Sequence, residues 1–279
     1  MRRAPSVFGH SQCRWTLDSI ARTCDWLVVT TAAGVSQILD RLGIHYKRAR
    51  SYVHSPDPYY AEKYALIQQC LLRAWYDPEH YVFLYQDEFT YNRQPTLARA
   101  YAEKGPSQAL ARLSYCSNCQ FRGIAALNAI TGQVTYQQSA KIDLRQLTTF
   151  YDTVRVTYPE ARQIYIAQDN WPVHFHPDVL ARLQPQHFPW PPKIPPNWPA
   201  APSEKVVKAN LPIQILCLPT YASWLNPIEK LWRWVRQDVL HLHRLSDDWQ
   251  ALKQQVADFL AQFNQPSTAL LRYVGLLPD

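Results

Sequence analysis

Three acidic residues stand where an acid can do chemistry. Asp87 closes the short apolar run Tyr81-Val82-Phe83-Leu84-Tyr85, and Asp169 closes Ile164-Tyr165-Ile166-Ala167 just before Asn170. Each run is rich in β-branched or aromatic residues and reads as a buried strand, so each acid points out of the end of a rigid sheet. Glu229 follows Asn226-Pro227, an Asx cap with proline at the first helical position, and falls in the first turn of a helix running through KLWRWVRQDVLHLH. A strand-terminal Asp is common, and the helix dipole alone favours a first-turn Glu. Two acids on sheet strands and one on a helix together can converge on a pair of divalent cations. Hard carboxylate oxygens suit Mg²⁺, with Mn²⁺ as a substitute, and two such ions suit phosphoryl transfer.

These acids need elements to hold them. Tyr59 to Trp75 reads as an amphipathic helix leading into the Asp87 strand. Gln120–Asn128 and Gln133–Gln138 flank Ala129-Ile130-Thr131-Gly132, a hairpin turn. Asp143 to about Val156 is a crossover helix before the Asp169 strand. Ile213 to Leu218 is a further strand entering the Glu229 helix, on which Trp232, Trp234 and Val235 are core candidates. Asp247 to Phe263 is a last amphipathic helix. Glu88 must point to the opposite face of the strand from Asp87, which makes it a neighbour rather than a metal ligand. Between Asp169 and Glu229, eight of the 22 prolines crowd into residues 185–202 with Trp190 and Trp198. That stretch, inside an insertion at 184–210, is neither regular helix nor central strand. We read it as an ordered surface loop whose tryptophans pack on the core, ahead of a subunit clasp or a DNA-facing loop.

The chain has 279 residues, of which 47% are hydrophobic, so it can bury a core. Its formal charge of +7 favours a polyanionic partner. No apolar run approaches the ~20 residues a bilayer span needs. Six scattered cysteines read as reduced thiols. Cys116 and Cys119 form a lone CxxC without the further ligands a zinc site needs. Residues 1–56 carry eight basic side chains against three acidic ones, most of the charge excess. The pattern there predicts a helix from Leu17 to about Cys24 capped by Thr16, and another from about Thr31 to Leu42 stopped by Gly43. Such a pair is a plain helical hairpin or a helix-turn-helix. Ser55-Pro56-Asp57-Pro58 is a stiff turn, and the domain boundary is set there: 1–56 and 57–279.

The blocks YQDEFTY, IYIAQDNWPVH and LPTYASWLNPIEKLW resemble the three signature blocks of DDE transposases, in the bacterial insertion-sequence branch of the mariner-type superfamily. The likeness covers the chain from about Trp15 onward. It implies an α/β fold: a ribonuclease-H-like mixed sheet with flanking helices, preceded by a small all-α helix-turn-helix segment. It implies Asp87, Asp169 and Glu229 as metal-binding catalytic acids for cleavage at element ends and strand transfer. It makes residues 1–56 a DNA-binding segment, with Ser36 and Gln37 facing bases and Lys47, Arg48 and Arg50 gripping phosphates. Asn170 would orient a neighbour or touch DNA. His174 matches the histidine that often follows the Asp-Asn pair, a contact to DNA or to a metal-bound water, though it serves equally as a helix-start residue. The implied partners are double-stranded DNA, as terminal inverted repeats and target, and a second copy in a homodimer. The implied setting is the bacterial cytoplasm, at the nucleoid. Family members usually carry another DNA-binding subdomain before this one, so a truncated or frame-split copy is expected. An inactive DNA-binding derivative and a nuclease on the same fold are the alternatives.

Overall fold

The computed structural model of the chain describes residues 3–29, 31–46 and 54–278. It divides into two compact units, Met1–Tyr52 and Val53–Asp279. In the first, α1 (Leu17–Thr23) begins with a reciprocal cap. Ser19 N–H donates to Thr16 Oγ1 at 3.2 Å, and Thr16 N–H donates to Ser19 Oγ at 2.8 Å. Helix α2 (Ala32–Arg41) is capped by Thr31, and Gly43 then takes the left-handed conformation that ends helices. Ile20 and Val35 are buried where the helices meet. Lys47, Arg48 and Arg50 lie outside the described residues.

The second unit opens with α3 (Tyr60–Tyr76). The chain then runs through β1 (Tyr81–Asn92), β2 (Gln120–Asn128), β3 (Val134–Ser139), α4 (Leu144–Thr157) and β4 (Gln163–Gln168). After a short helix α5 (Pro177–Leu180) come β5 (Ile213–Cys217), α6 (Ile228–Val235), α7 (Trp249–Ala261) and α8 (Thr268–Val274). The strands form one mixed sheet in the order β3-β2-β1-β4-β5. β1 pairs antiparallel with β2 and parallel with β4, and β4 pairs parallel with β5.

Alternation along β1 divides the core between the two faces of the sheet. Phe83, Tyr85, Phe89 and Tyr91 face α3, α6 and α7, where Trp232, Val235 and Val256 are buried. Val82 and Leu84 face α4, against Leu147, Phe150 and Val154. Each of these side chains contributes about 1.5–3 kcal/mol on full burial. Gly132 closes the β2–β3 hairpin at φ +72°, and a Cβ there would stand 2.3 Å from the Ser267 carbonyl oxygen at the start of α8. Only glycine fits both demands.

Two expectations about these elements need correction. β1 does not end near Asp87. It runs twelve residues, because pairing with β2 continues from Asp87 opposite Ala125 to Asn92 opposite Gln120, through polar residues that broke the apolar run. The helix after Glu229 stops at Val235 and continues only as a π-helical turn, Arg236–Leu240. Helix α8 has no counterpart in the sequence reading. In the proline-rich stretch Trp190 is half-buried against Tyr59 and Trp198 against His176. Among the described residues no helix is long and apolar enough to cross a membrane.

Candidate active site

The site follows from where the parallel strands stop. Tyr85 of β1 lies opposite Ala167 of β4, so two residues on Asp87 and Asp169 come level with each other. Adjacent strands run about 4.8 Å apart, which sets these two acids side by side. Asp169 sits just past the last residue of β4, at the carboxyl end of the strands, where open α/β sheets hold their ligands. β5 ends level with Gln168, and the chain leaves it through Leu218 to Leu225 into α6.

Helix α6 returns Glu229 to that edge. Ile228, Leu231, Trp232 and Val235 form its buried stripe, which leaves Glu229 on the flank. Trp232, one turn beyond Glu229, lies over β1. Its ring stacks on Phe89 with centroids 4.3 Å apart, and its indole N–H donates to Asp87 Oδ2 at 2.8 Å. Asn226 does not cap the helix. Its Nδ2 donates instead to the Gln86 carbonyl at 3.2 Å, tying the start of α6 to the residue before Asp87. This corrects the Asx-cap expectation. The backbone before the helix is a 3₁₀ turn, Ser223–Leu225, which turns the Asn226 side chain inward. Asn170 makes a second tie, Nδ2 to the Leu218 carbonyl at 2.8 Å.

Asp87, Asp169, Asn170, Asn226 and Glu229 thus line one cleft of about 390 Å³, together with Trp171 and the loop 218–223. Burial, Glu229 and Glu88 push the Asp87 carboxyl up to about 8, against the pull of the Trp232 bond. For Asp169, burial works upward, but the nearby His174 imidazole and the bond from the Trp171 N–H hold it below the ordinary range. The Trp171 N–H lies 2.9 Å from Asp169 Oδ1.

Glu88 points to the face opposite Asp87, as alternation requires, yet it belongs to the same constellation. His174 is buried with Nε2 3.5 Å from Glu88 and 3.6 Å from Asp169. Burial disfavours its charged form, but the two carboxylates raise it to about 9. Glu88, Asp169 and His174 bring one ligand atom each within 4.8 Å of one another.

A family model described as DDE superfamily endonuclease matches residues 82–253, well over half of the chain and all three acids. The chain belongs to the DDE superfamily endonucleases. A curated relative, an insertion element IS630 uncharacterized 39 kDa protein of Shigella sonnei, is 23% identical over 256 residues. Those residues are 91% of this chain, and the match spans 66% of that protein's length, just under two thirds. Two solved structures share the fold. The Mos1 transposase paired-end complex with left transposon end superposes with a TM-score of 0.61 at 16% identity, covering 98% of this chain and 74% of that one. The Mos1 strand transfer complex gives 0.60 at 15% identity, covering 98% and 73%. The sheet with flanking helices is therefore the ribonuclease-H-like fold of a DDE catalytic domain.

The remaining described candidates, Ser36 and Gln37, belong to the first unit. Ser36 is half-buried and lines a groove between α1 and α2 with Trp15, Leu39 and Ile44, while Gln37 is exposed. Two features escaped the sequence reading. Trp232 appeared there only as a core residue, and nothing in its local sequence reveals its bond to Asp87. The Ser55–Asp57 turn, read as a boundary, fastens the cleft's loop. Ser55 Oγ donates to the Thr220 carbonyl at 2.6 Å, and Thr220 N–H donates to Asp57 Oδ2 at 2.8 Å.

Proposed function

We propose that the chain is an insertion-sequence transposase that cuts a phosphodiester at each element end and joins the freed 3′-hydroxyl to target DNA. The observation that supports this reading best is the meeting of Asp87, Asp169 and Glu229 in one cleft whose lining contains no basic side chain. Burial first, then the neighbouring Glu229 and Glu88, raise the Asp87 carboxyl to about 8, and a bound cation would favour its charged form. Hard oxygen donors short of counter-charge fit Mg²⁺, or Mn²⁺ in its place. Two such ions, when bound, would activate the attacking oxygen and offset charge on the leaving one.

The chain's own part is to hold its donors still. Trp232 fixes one oxygen of Asp87, and the Trp171 N–H fixes Asp169, with His174 3.6 Å away. Asn226 and Asn170 lock the helix and β5 to the strands carrying these acids. Double-stranded DNA is the substrate in this reading, as terminal inverted repeats and target, engaged by a homodimer at the bacterial nucleoid. The basic first unit would grip it, Lys47, Arg48 and Arg50 on phosphates and Ser36 and Gln37 toward bases. The mariner complexes with transposon ends, and with Mn and Mg, support these assignments by likeness of fold.

The test uses duplexes carrying the sequences that flank the gene, incubated with Mg²⁺ or Mn²⁺. The parent should cut them, and EDTA should stop it. Asp87→Asn, Asp169→Asn and Glu229→Gln should each lose cleavage by about 100-fold or more while still binding DNA. A variant that cuts as fast as the parent removes that residue from the set. A parent that binds but never cuts makes the chain a DNA-binding relative instead.

A further inference from the structure

The loop between β5 and α6 holds aromatic rings in solvent beside the acids. Tyr221 lines the cleft with Asp87, Asp169 and Glu229, and its side chain is among the more exposed apolar groups at 74%. Its backbone sits at φ +56°, a region a residue with a Cβ seldom takes, and such strain gathers at working sites. The conformation is enforced from one residue away, where Ser55 and Asp57 grip both the carbonyl and the N–H of Thr220. Trp224 is half-exposed three residues on, with its indole N–H 3.4 Å from the Tyr60 hydroxyl. Tyr60 stacks on Tyr64, with ring centroids 6.3 Å apart and 12° from parallel. Trp224, Tyr60 and Tyr64 thus link three rings from the loop onto the first turns of α3, with Tyr221 three residues before Trp224 at the lip of the cleft.

The chemistry of the lining selects what these rings hold. With three carboxylates and no basic side chain among the described lining residues, a strand's phosphates depend on bound cations for attraction here. A lysine or arginine at this spot would compete with cations for the same carboxylates. Flat aromatic faces attract a base without any charge. A base inside a duplex offers only its edges to a protein, so a face is available only where the base is unpaired.

We infer that Tyr221 and Trp224, backed by Tyr60 and Tyr64, form a stacking surface for one or two unpaired DNA bases flanking the phosphodiester at the acid cleft. This rests on the phosphoryl-transfer reading of that cleft and adds to it a strand opened at the reacting position.

The test measures binding, not cutting. Probes are a duplex ending in a short single strand that carries 2-aminopurine, and a blunt duplex of the same sequence, both with Ca²⁺ as the only divalent ion. The full-length chain should quench the 2-aminopurine, as stacking does, and prefer the frayed probe. Trp224→Ala should lower the affinity ratio of frayed over blunt probe about tenfold and relieve the quenching. Tyr221→Gly should act likewise, and glycine accepts the left-handed backbone, so the loop keeps its path. Trp224→Phe should retain the preference. An unchanged ratio and unchanged quenching in both ring-removing variants overturns the proposal. So does a loss that tracks dissociation of a dimer in sedimentation, since the rings would then be an interface between copies. A chain that never cuts yet passes this test refutes only the transposase reading, and one that cuts and fails it refutes only the stacking surface.

Discussion

Replacing Asp57 with asparagine should loosen the rim of the acid cleft and destabilise the fold beneath it. Asp57 Oδ2 accepts from Lys63 Nζ at 2.8 Å and from Thr220 N–H at 2.8 Å, and Oδ1 accepts from Tyr59 N–H at 3.0 Å. The two charged side chains are 3% and 9% exposed. Burial alone would raise the Asp57 carboxyl, but the bonds from Lys63, Thr220 and Tyr59 outweigh it and hold the group at about 2, against an ordinary 3.8. A folded-state value below the unfolded one adds stability that is present above the unfolded value and lost as pH falls through the folded one. The window here is pH 4 down to 2, and the difference corresponds to about 2 kcal/mol. Asparagine keeps the shape but leaves the Lys63 ammonium buried without its counter-charge, which costs about 3–5 kcal/mol. Urea unfolding at pH 7 should show that loss in Asp57→Asn and in Lys63→Met a smaller one. The double variant should recover most of it, because it leaves neither charge buried without its partner. From pH 4 to 2 the parent should lose about 2 kcal/mol more than Asp57→Asn. A cost under about 0.5 kcal/mol, or equal acid slopes for parent and variant, would refute the reasoning, because surface-like pairs behave that way.

Three further outcomes are expected. Trp232→Phe keeps a ring over Phe89 but removes the donor to Asp87; stability should fall by about 1–2 kcal/mol and DNA cleavage should drop, and full cleavage would show that the bond does not position the acid. Adding Mg²⁺ or Mn²⁺ to the cation-free chain should raise its Tm, because the ions would offset the burial and the neighbouring acids that raise Asp87, and Asp87→Asn should abolish most of that rise in a thermal melt. Changing Lys47, Arg48 and Arg50 together to alanine should flatten the salt dependence of duplex binding by up to about 0.9 per lost phosphate contact; an unchanged slope in a salt titration would move the DNA anchor elsewhere.

Much of the site was legible in the sequence because each acid ends or begins something. Asp87 and Asp169 follow apolar runs that only a buried strand explains, and Asn226-Pro227 places the start of a helix. What stayed hidden depends on contacts between residues far apart in the chain. The Asx-cap reading of Asn226 failed because a side chain that can cap can also reach a strand carbonyl, and the choice rests on the fold around residue 86. Asp57 and Thr220 stand 163 positions apart, and no local signal shows that this turn would clasp the loop lining the acid cleft. β1 looked short for the opposite reason: Gln86, Asp87 and Glu88 interrupt the apolar pattern, while the ladder to β2 needs only backbone.

That strand also explains why the site tolerates two adjacent acids. Successive residues of β1 face opposite sides of the sheet, so Asp87 meets Trp232 and α6 while Glu88 meets buried His174. The first acid is left short of positive charge, available to a cation. The second lies 3.5 Å from a buried imidazole whose charged form both Glu88 and Asp169 favour. The sheet therefore sends two adjacent carboxylates to different partners, one to Trp232 and the cleft and one to His174, using a single peptide step. A one-residue shift in the register of β1 would exchange them, sending Glu88 under Trp232 and Asp87 toward His174. The apolar residues that alternate around them forbid that shift, since Phe83, Tyr85 and Phe89 would all change faces with it. The same hydrophobic pattern that builds the core thus fixes which acid faces the cleft.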